Sequence, residues 1–381
     1  MALKIALSSF LALVVAMGIG RFAFTPQVPL MLSEGQFSLT GAGIVAAFNY
    51  LGYLCGSLDA MKAIRHVERR LWLGLWGAVV LTLLSGLVEG IEWHSLIRFA
   101  IGWASGLGLV LVAAWSNERL ITLGKTALAA AVFAGPGAGI WLSGMLAILF
   151  SRFSFNASAS WLGYGIVALI LVTAISINLP RKGEFHRADA PKQPPLAITG
   201  VIKRLVICYS LAGFGYILPA TFLSQMAVAR FPDSLFTQFV WPIFGGASVI
   251  GIILGIMTRH LLQTRVRLAI VLWLQAAGIV CMELISGIGG LVIGAALVGG
   301  GFLCVVQLAL QYGRELAPNY ARYMAGLLTT GYAIGQLGGP LFSALSTSLT
   351  QRLEPALYLA GIALIIAGGL VFPLHQSEDV D

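Results

Sequence analysis

Apolar residues fall in long, near-continuous blocks along this chain, and most charged residues fall in or near the gaps between them. A helix needs roughly 20 consecutive apolar residues to cross a bilayer. Twelve blocks qualify, at about 6–32, 39–60, 71–90, 94–117, 123–150, 159–179, 202–227, 235–258, 267–286, 288–312, 322–348 and 355–373. Most gaps are short. The exception is Pro180 to Gly200, PRKGEFHRADAPKQPPLAITG, with four prolines and several charges. Such a composition reads as a flexible linker. It splits the chain into a six-helix half at 1–179, a linker at 180–200 and a six-helix half at 201–381 that ends in a short tail.

Composition fixes the class. The 381 residues are 58% hydrophobic and 10% charged, with a mean hydropathy of +0.90. Soluble domains carry roughly a quarter charged residues, so the expectation is an all-α integral membrane protein of twelve transmembrane helices. The 46 glycines suit close helix packing in lipid. A net charge of +8 raises the question of nucleic acid. The cations are scattered over short loops without a basic tail or patch, which argues against such a partner. Cys55, Cys208, Cys281 and Cys304 all sit in apolar blocks, where cysteine serves as a small core residue. The first block is long enough to span and shows no signal-peptide cleavage pattern.

Loop charge orients the chain. With the N-terminus inside, the inner loops hold eighteen Lys and Arg and the outer loops only Arg152, Arg230 and Arg352. The positive-inside rule then places both termini in the cytoplasm.

The halves resemble each other. Met17-Gly18-Ile19-Gly20-Arg21 matches Ala212-Gly213-Phe214-Gly215-Tyr216, and each is followed by a proline, Pro26 or Pro219. Gly52-x-x-x-Gly56 matches Gly251-x-x-x-Gly255, and Asn117-Glu118-Arg119 pairs with Gly313-Arg314-Glu315. The offsets are 195, 199 and 196 positions. A near-constant offset signals an internal repeat. Two halves of equal orientation form the parallel repeat of one transporter class, in which substrate binds near the midplane between them.

Twelve spans, a six-plus-six split and this loop charge resemble the major facilitator superfamily along essentially the whole chain. Cys55-Gly56-Ser57-Leu58-Asp59, followed by Arg65, Arg69 and Arg70, resembles the superfamily's G-x-L-a-D-R-x-G-R-R loop. Cysteine replaces the leading glycine, and the basic spacing is longer. Gly135-Pro136-Gly137-Ala138-Gly139 is similar to the G-P-x-x-G core found in exporters and antiporters, with Ala131 and Ile140 where further glycines are expected. GIGRFAFTPQVPLM at Gly18–Met31, with RFAIGWASGLGLVLV at Arg98–Val112, resembles the YbfB/YjiJ-type branch. The resemblance implies the major facilitator fold, the bacterial inner membrane, a monomer, and a central cavity lined by spans 1, 4, 7 and 10.

Two of the Lys and Arg, Arg21 and Arg98, belong to neither side and lie within spans. Arg21 is near mid-depth, where insertion of an arginine costs about 2.5–3.5 kcal/mol. Helical spacing groups it with Gly18 and Thr25, and groups Arg98 with Gly102, Ser105 and Leu109. The second half offers Tyr209, Tyr216, Gln307, Gln311 and Tyr332. Arg21 either grips an anionic substrate with its planar fork, or ties a kinked helix to backbone and to groups such as Asn49. Arg98 either joins that cavity or snorkels outward toward Glu89 or Glu92. Pro26 and Pro29 each remove a backbone donor and free the carbonyls of Phe22 and Thr25. They mark a bend, static or gating. Gly135, Pro136, Gly339 and Pro340 occupy matching places at the interface of the halves and are hinge candidates, with Asp59 a candidate gating charge. No carboxylate sits at mid-span, which leaves Glu283 as the candidate for proton coupling. Tyr50, Tyr53 and Trp241 either line the cavity or pack.

No phosphate loop, H-E-x-x-H or G-x-S-x-G pattern is present, and the five histidines show no metal-ligand spacing. The expectation is therefore not an enzyme, with no cofactor and no metal. It is a secondary transporter moving a small anionic or amphipathic organic solute by alternating access. Alternatives are a multidrug or metabolite efflux antiporter and a non-transporting membrane sensor or assembly factor.

Overall fold

The computed structural model describes residues 1–63, 66–185 and 196–372. Arg65 of the basic loop, the central linker residues 186–195 and the tail 373–381 lie outside the described residues. Twelve long helices run up and down among the described residues. They are α1 (Ala2–Ser33), α2 (Leu39–Lys62), α3 (Val67–Ser85), α4 (Ile91–Thr122), α5 (Thr126–Arg152) and α6 (Ala157–Asn178), then α7 (Gly200–Arg230), α8 (Thr237–His260), α9 (Thr264–Leu284), α10 (Ile288–Leu316), α11 (Ala321–Thr350) and α12 (Glu354–Val371). Each overlaps one apolar block, and the ends shift by a few residues because loop residues cap them. Ser38 accepts from the Gly41 N–H, Asn156 from Ala159 and Thr199 from Ile202.

Ten of the twelve are long and apolar enough to cross a membrane by length and composition alone. The other two are α3 and α11. Glu68, Arg69 and Arg70 crowd the first turn of α3. Hydroxyls, glycines and Gln336 dilute α11, which turns a polar stripe inward. The outward faces carry exposed Ile166, Ile170, Ile250, Leu254, Ile362 and Ile365, an apolar coat matched to lipid.

Close approach sets the packing. A side chain at Gly52 of α2 would run into the Phe99 carbonyl of α4, and one at Gly251 of α8 into the Gly300 carbonyl of α10. The repeated G-x-x-x-G pair therefore does the same work twice, seating α2 on α4 and α8 on α10. Between the first six helices and the last six, α2 lies along α11, α5 along α8, and the far part of α1 against α7.

The first helix is not regular. It is α-helical over Ala2–Leu13, π-helical over Val14–Arg21, and α-helical again over Phe24–Ser33. The wide turn closes with the Phe22 N–H donating to Met17 O at 2.9 Å. The prolines predict a bend at Pro26 and Pro29, whereas the irregular backbone lies just before them. Pro26 falls in the first turn after the break, where its missing N–H leaves no bond unmade. Phe22 O is still satisfied, by the Thr25 N–H at 3.3 Å. Pro29 and Pro340 lie inside continuous helix, and Pro136 starts the longer segment of α5.

Candidate functional site

The π-helical stretch aims Arg21 into the seam between the two helix groups. The residue is only 3% exposed. Its guanidinium carbon lies 3.8 Å from the ring centre of Tyr53 and 4.7 Å from that of Tyr50, both on α2, and 5.1 Å from that of Phe22. Stacked rings hold a desolvated cation by their quadrupoles, each contact contributing about 0.5–2 kcal/mol. Across the seam, Arg21 Nη2 donates to Gln336 Oε1 of α11 at 2.9 Å, and Gln336 Nε2 donates to the Tyr216 hydroxyl of α7 at 2.5 Å. Arg21 Nε is buried with no hydrogen-bond partner. Among the described residues no carboxylate pairs with Arg21.

An aromatic column continues behind Tyr216. Its ring stacks on Phe302 at 4.7 Å and on Tyr332 at 5.7 Å, and Tyr332 stacks on Tyr209 at 4.3 Å. The site is thus one cation, one amide and several phenols inside walls of rings. A chamber of about 10 Å³, bounded by Arg21, Thr25, Asn49, Tyr50 and Thr221, holds no more than a water in this conformation.

Toward the end of the bundle away from the termini, a closed layer covers the chamber. Thr25 Oγ1 donates to Ala220 O at 3.1 Å, and the Tyr50 and Thr221 hydroxyls are 3.3 Å apart. Farther out, the Thr40 and Thr347 hydroxyls meet at 2.9 Å. Trp241 Nε1 donates to Ser143 Oγ at 3.2 Å, joining α8 to α5. Beyond the layer lies an open cleft of about 760 Å³, with Pro26, Gln27, Ser33, Glu34, Ser224 and Gln238 among its walls.

The remaining sequence candidates separate. Arg98 is fully buried and does not reach Glu89 or Glu92. It donates to Gly20 O at 3.1 Å and Ser85 Oγ at 3.3 Å, and lies 4.3 Å from the Trp161 ring centre. Asn49 Nδ2 donates to the Arg98 carbonyl at 2.9 Å, and Ser105 Oγ to Ala16 O at 2.6 Å. Arg98 and Ser105 of α4 thus brace the irregular part of α1, and Asn49 of α2 and Ser85 of α3 bond Arg98 in turn. Gln311 bonds Thr264 and Glu315 near the terminal end of α10, away from Arg21, and Gln307 lies on the same stretch of that helix, beside Gly255. Asp59 pairs with Arg70 at 2.6 Å at the same end of the bundle. Glu283 pairs with Arg230 at 2.7 Å at the opposite end. The glycines act at contacts. Gly137 faces Ser248 of α8, Gly339 faces Ile217 of α7, and Pro340 O lies against Gly43 of α2. Gly135 lets α5 approach Phe10 O of α1.

Gln336 and Phe302 complete the site and are absent from the sequence candidates. The cue for Gln336 was present: it is a long polar side chain deep in an apolar block, as Arg21 is. Phe302 gives no such cue, since nothing separates a cavity phenylalanine from a packing one.

Three comparisons bear on this geometry. A profile of the family described as "Uncharacterised MFS-type transporter YbfB" matches residues 13–372. A curated relative from Mannheimia succiniciproducens, named "Probable sugar efflux transporter", is 22% identical over 351 residues, covering 86% of this chain and 85% of its own. The crystal structure of a variant of the nucleoside transporter NupG superposes with a TM-score of 0.70 at 15% identity, covering 96% of this chain and 98% of that one. Twelve helices in this arrangement and a profile match over nearly the whole length place the chain in the major facilitator superfamily of membrane transporters, in the family described by YbfB.

Proposed function

We propose that the protein carries a small organic anion, amphipathic in character, through a midplane site centred on Arg21, by alternating exposure of that site to the two sides of the bacterial inner membrane. The observation that carries this reading is a buried guanidinium whose partners among the described residues are all neutral. A desolvated charge without a counter-ion is costly, and a carboxylate or similar group entering the chamber would offset that cost. The aromatic walls supply apolar surface for the rest of such a solute. Residues 1–179 and 201–381 would move as two bodies joined by the 180–200 linker, with both termini cytoplasmic, as the loop charge favours. The closed layer at Thr25, Tyr50, Ala220 and Thr221 then serves as the outer gate. Prying it open exposes Arg21 to the 760 Å³ cleft.

The test is uptake and counterflow in proteoliposomes, with benzoate, benzenesulfonate and sugar acids set against their neutral amides and alcohols. Saturable flux of the anions that Arg21→Gln abolishes supports the reading. Equal flux of the neutral analogues through Arg21→Gln refutes it.

A second reading is efflux of a neutral polyhydroxylated solute. The far-end cleft favours it: hydroxyls and amides such as Ser224, Ser234, Thr237 and Gln238 line it, with Glu34 its single charge. The curated relative's name points the same way. The same flux assay separates the two, because this solute would not require a cation at position 21.

A further inference from the structure

We infer that Gln336 is the residue through which this site reads substrate charge: its amide carbonyl holds the place on Arg21 that an anion takes, and the exchange of one for the other releases α1 from α11. The inference rests on the anion reading given above.

The stereochemistry is specific. Nε and Nη2 of an arginine form the side edge of its fork, with two parallel N–H groups that match the two oxygens of a carboxylate. In this protein Gln336 Oε1 occupies Nη2 at 2.9 Å, and Nε on the same edge has no partner. An amide has one oxygen and can satisfy at most one N–H of that edge. A carboxylate or sulfonate has a second oxygen and satisfies both N–H groups with charge-assisted bonds. The anion therefore outcompetes the amide on the atoms already in contact.

Gln336 is also fixed in the sense it points. Arg21 has donors only, so the carbonyl and not the amine faces it, and Nε2 is left to donate to the Tyr216 hydroxyl at 2.5 Å. Tyr216 is in turn held by Phe302 and Tyr332. The chain Arg21–Gln336–Tyr216 thus joins α1 to α11 and α7 near mid-depth. When an anion takes the Arg21 edge, that bond between the helix groups is lost, while Gln336 keeps its tie to Tyr216. Neutral solutes lack the charge to make the exchange, so the amide screens for anions. A glutamate at 336 would pair with Arg21 permanently and close the site to them.

The discriminating pattern is two substitutions of opposite sign. Purified full-length protein is titrated with benzenesulfonate, which stays ionised at all working pH, and with benzenesulfonamide as the neutral comparator. Gln336→Met removes the competing oxygen at similar volume and is expected to bind benzenesulfonate at least threefold more tightly than wild type. Gln336→Glu is expected to bind it at least tenfold more weakly. Where Gln336→Met does not give monodisperse protein, Gln336→Ala takes its place with the same expected direction. A merely structural glutamine would weaken binding in every variant, and that result overturns the inference. Arg21→Gln tests the underlying reading separately. If it binds benzenesulfonate as wild type does, or if wild type does not bind it, the anion site itself is refuted. If Arg21→Gln loses binding while the Gln336 variants all weaken alike, only the role of Gln336 falls.

Discussion

The guanidinium of Arg21 and the amide of Gln336 stand 315 positions apart in the chain and 2.9 Å apart in space. This contact joins the first helix to the eleventh. Its geometry leads to expectations about the charge, the gate and the braces around them.

Arg21→Lys keeps the charge and loses the fork. A lysine makes point contacts and cannot present two parallel donors. Affinity for benzoate in purified protein is expected to drop by about tenfold, the equivalent of roughly 1.4 kcal/mol or one charge-assisted hydrogen bond. Undiminished affinity would show that the bidentate edge is not used.

Arg98→Ala is expected to injure folding more than recognition. It leaves Gly20 O and Ser85 Oγ without their buried donor and opens a hole beside Trp161. Losing a buried polar partner costs about 1–3 kcal/mol, and the cavity adds to it. Thermal unfolding in detergent should show a clearly lowered midpoint. In the protein that remains folded, any loss of affinity for the same probe should be smaller than that of Arg21→Lys.

Gly139→Val tests the seat of the irregular helix. A Cβ at position 139 would lie 2.7 Å from Gly18 Cα, and the backbones cannot separate without moving Arg21. Overpacking of this kind costs about 1–3 kcal/mol. The expected outcome is lower thermal stability together with weaker anion binding, since Gly18 lies one turn before Arg21. Gly369→Val, at a glycine with nothing within 4 Å of an added Cβ, is the control and should change neither.

A cross-link at the far end tests the gate. The Thr40 and Thr347 hydroxyls are 2.9 Å apart, close enough for side chains there to be bridged. The double variant T40C/T347C is expected to lose flux in proteoliposomes on oxidation and to regain it with reductant. Full flux in the oxidised form would mean that α2 and α11 need not part during transport.

The twelve blocks, the repeated glycine pairs and the burial of Arg21 within the first block were legible in the sequence alone. Hydrophobicity and loop charge are local quantities, and the cost of exposing backbone to lipid leaves a twenty-residue apolar block one way to cross. The G-x-x-x-G pairs at Gly52 and Gly251 were legible for the same reason, because close approach of helices needs missing side chains wherever it occurs. Partner choice was not. Whether Arg98 turned outward to Glu89 or inward to Gly20 O depended on how far α4 is rotated, and neighbouring helices fix that rotation. The π-turn before Pro26 moves Arg21 around its axis by an amount no regular period gives, and so decides that it faces α11. Gln336 became part of the site only when α2 and α11 came together along the seam. Sequence set which residues lie inside the apolar blocks. Tertiary packing alone decided which of them meet, because side-chain direction around a helix is settled by contacts from elsewhere in the chain.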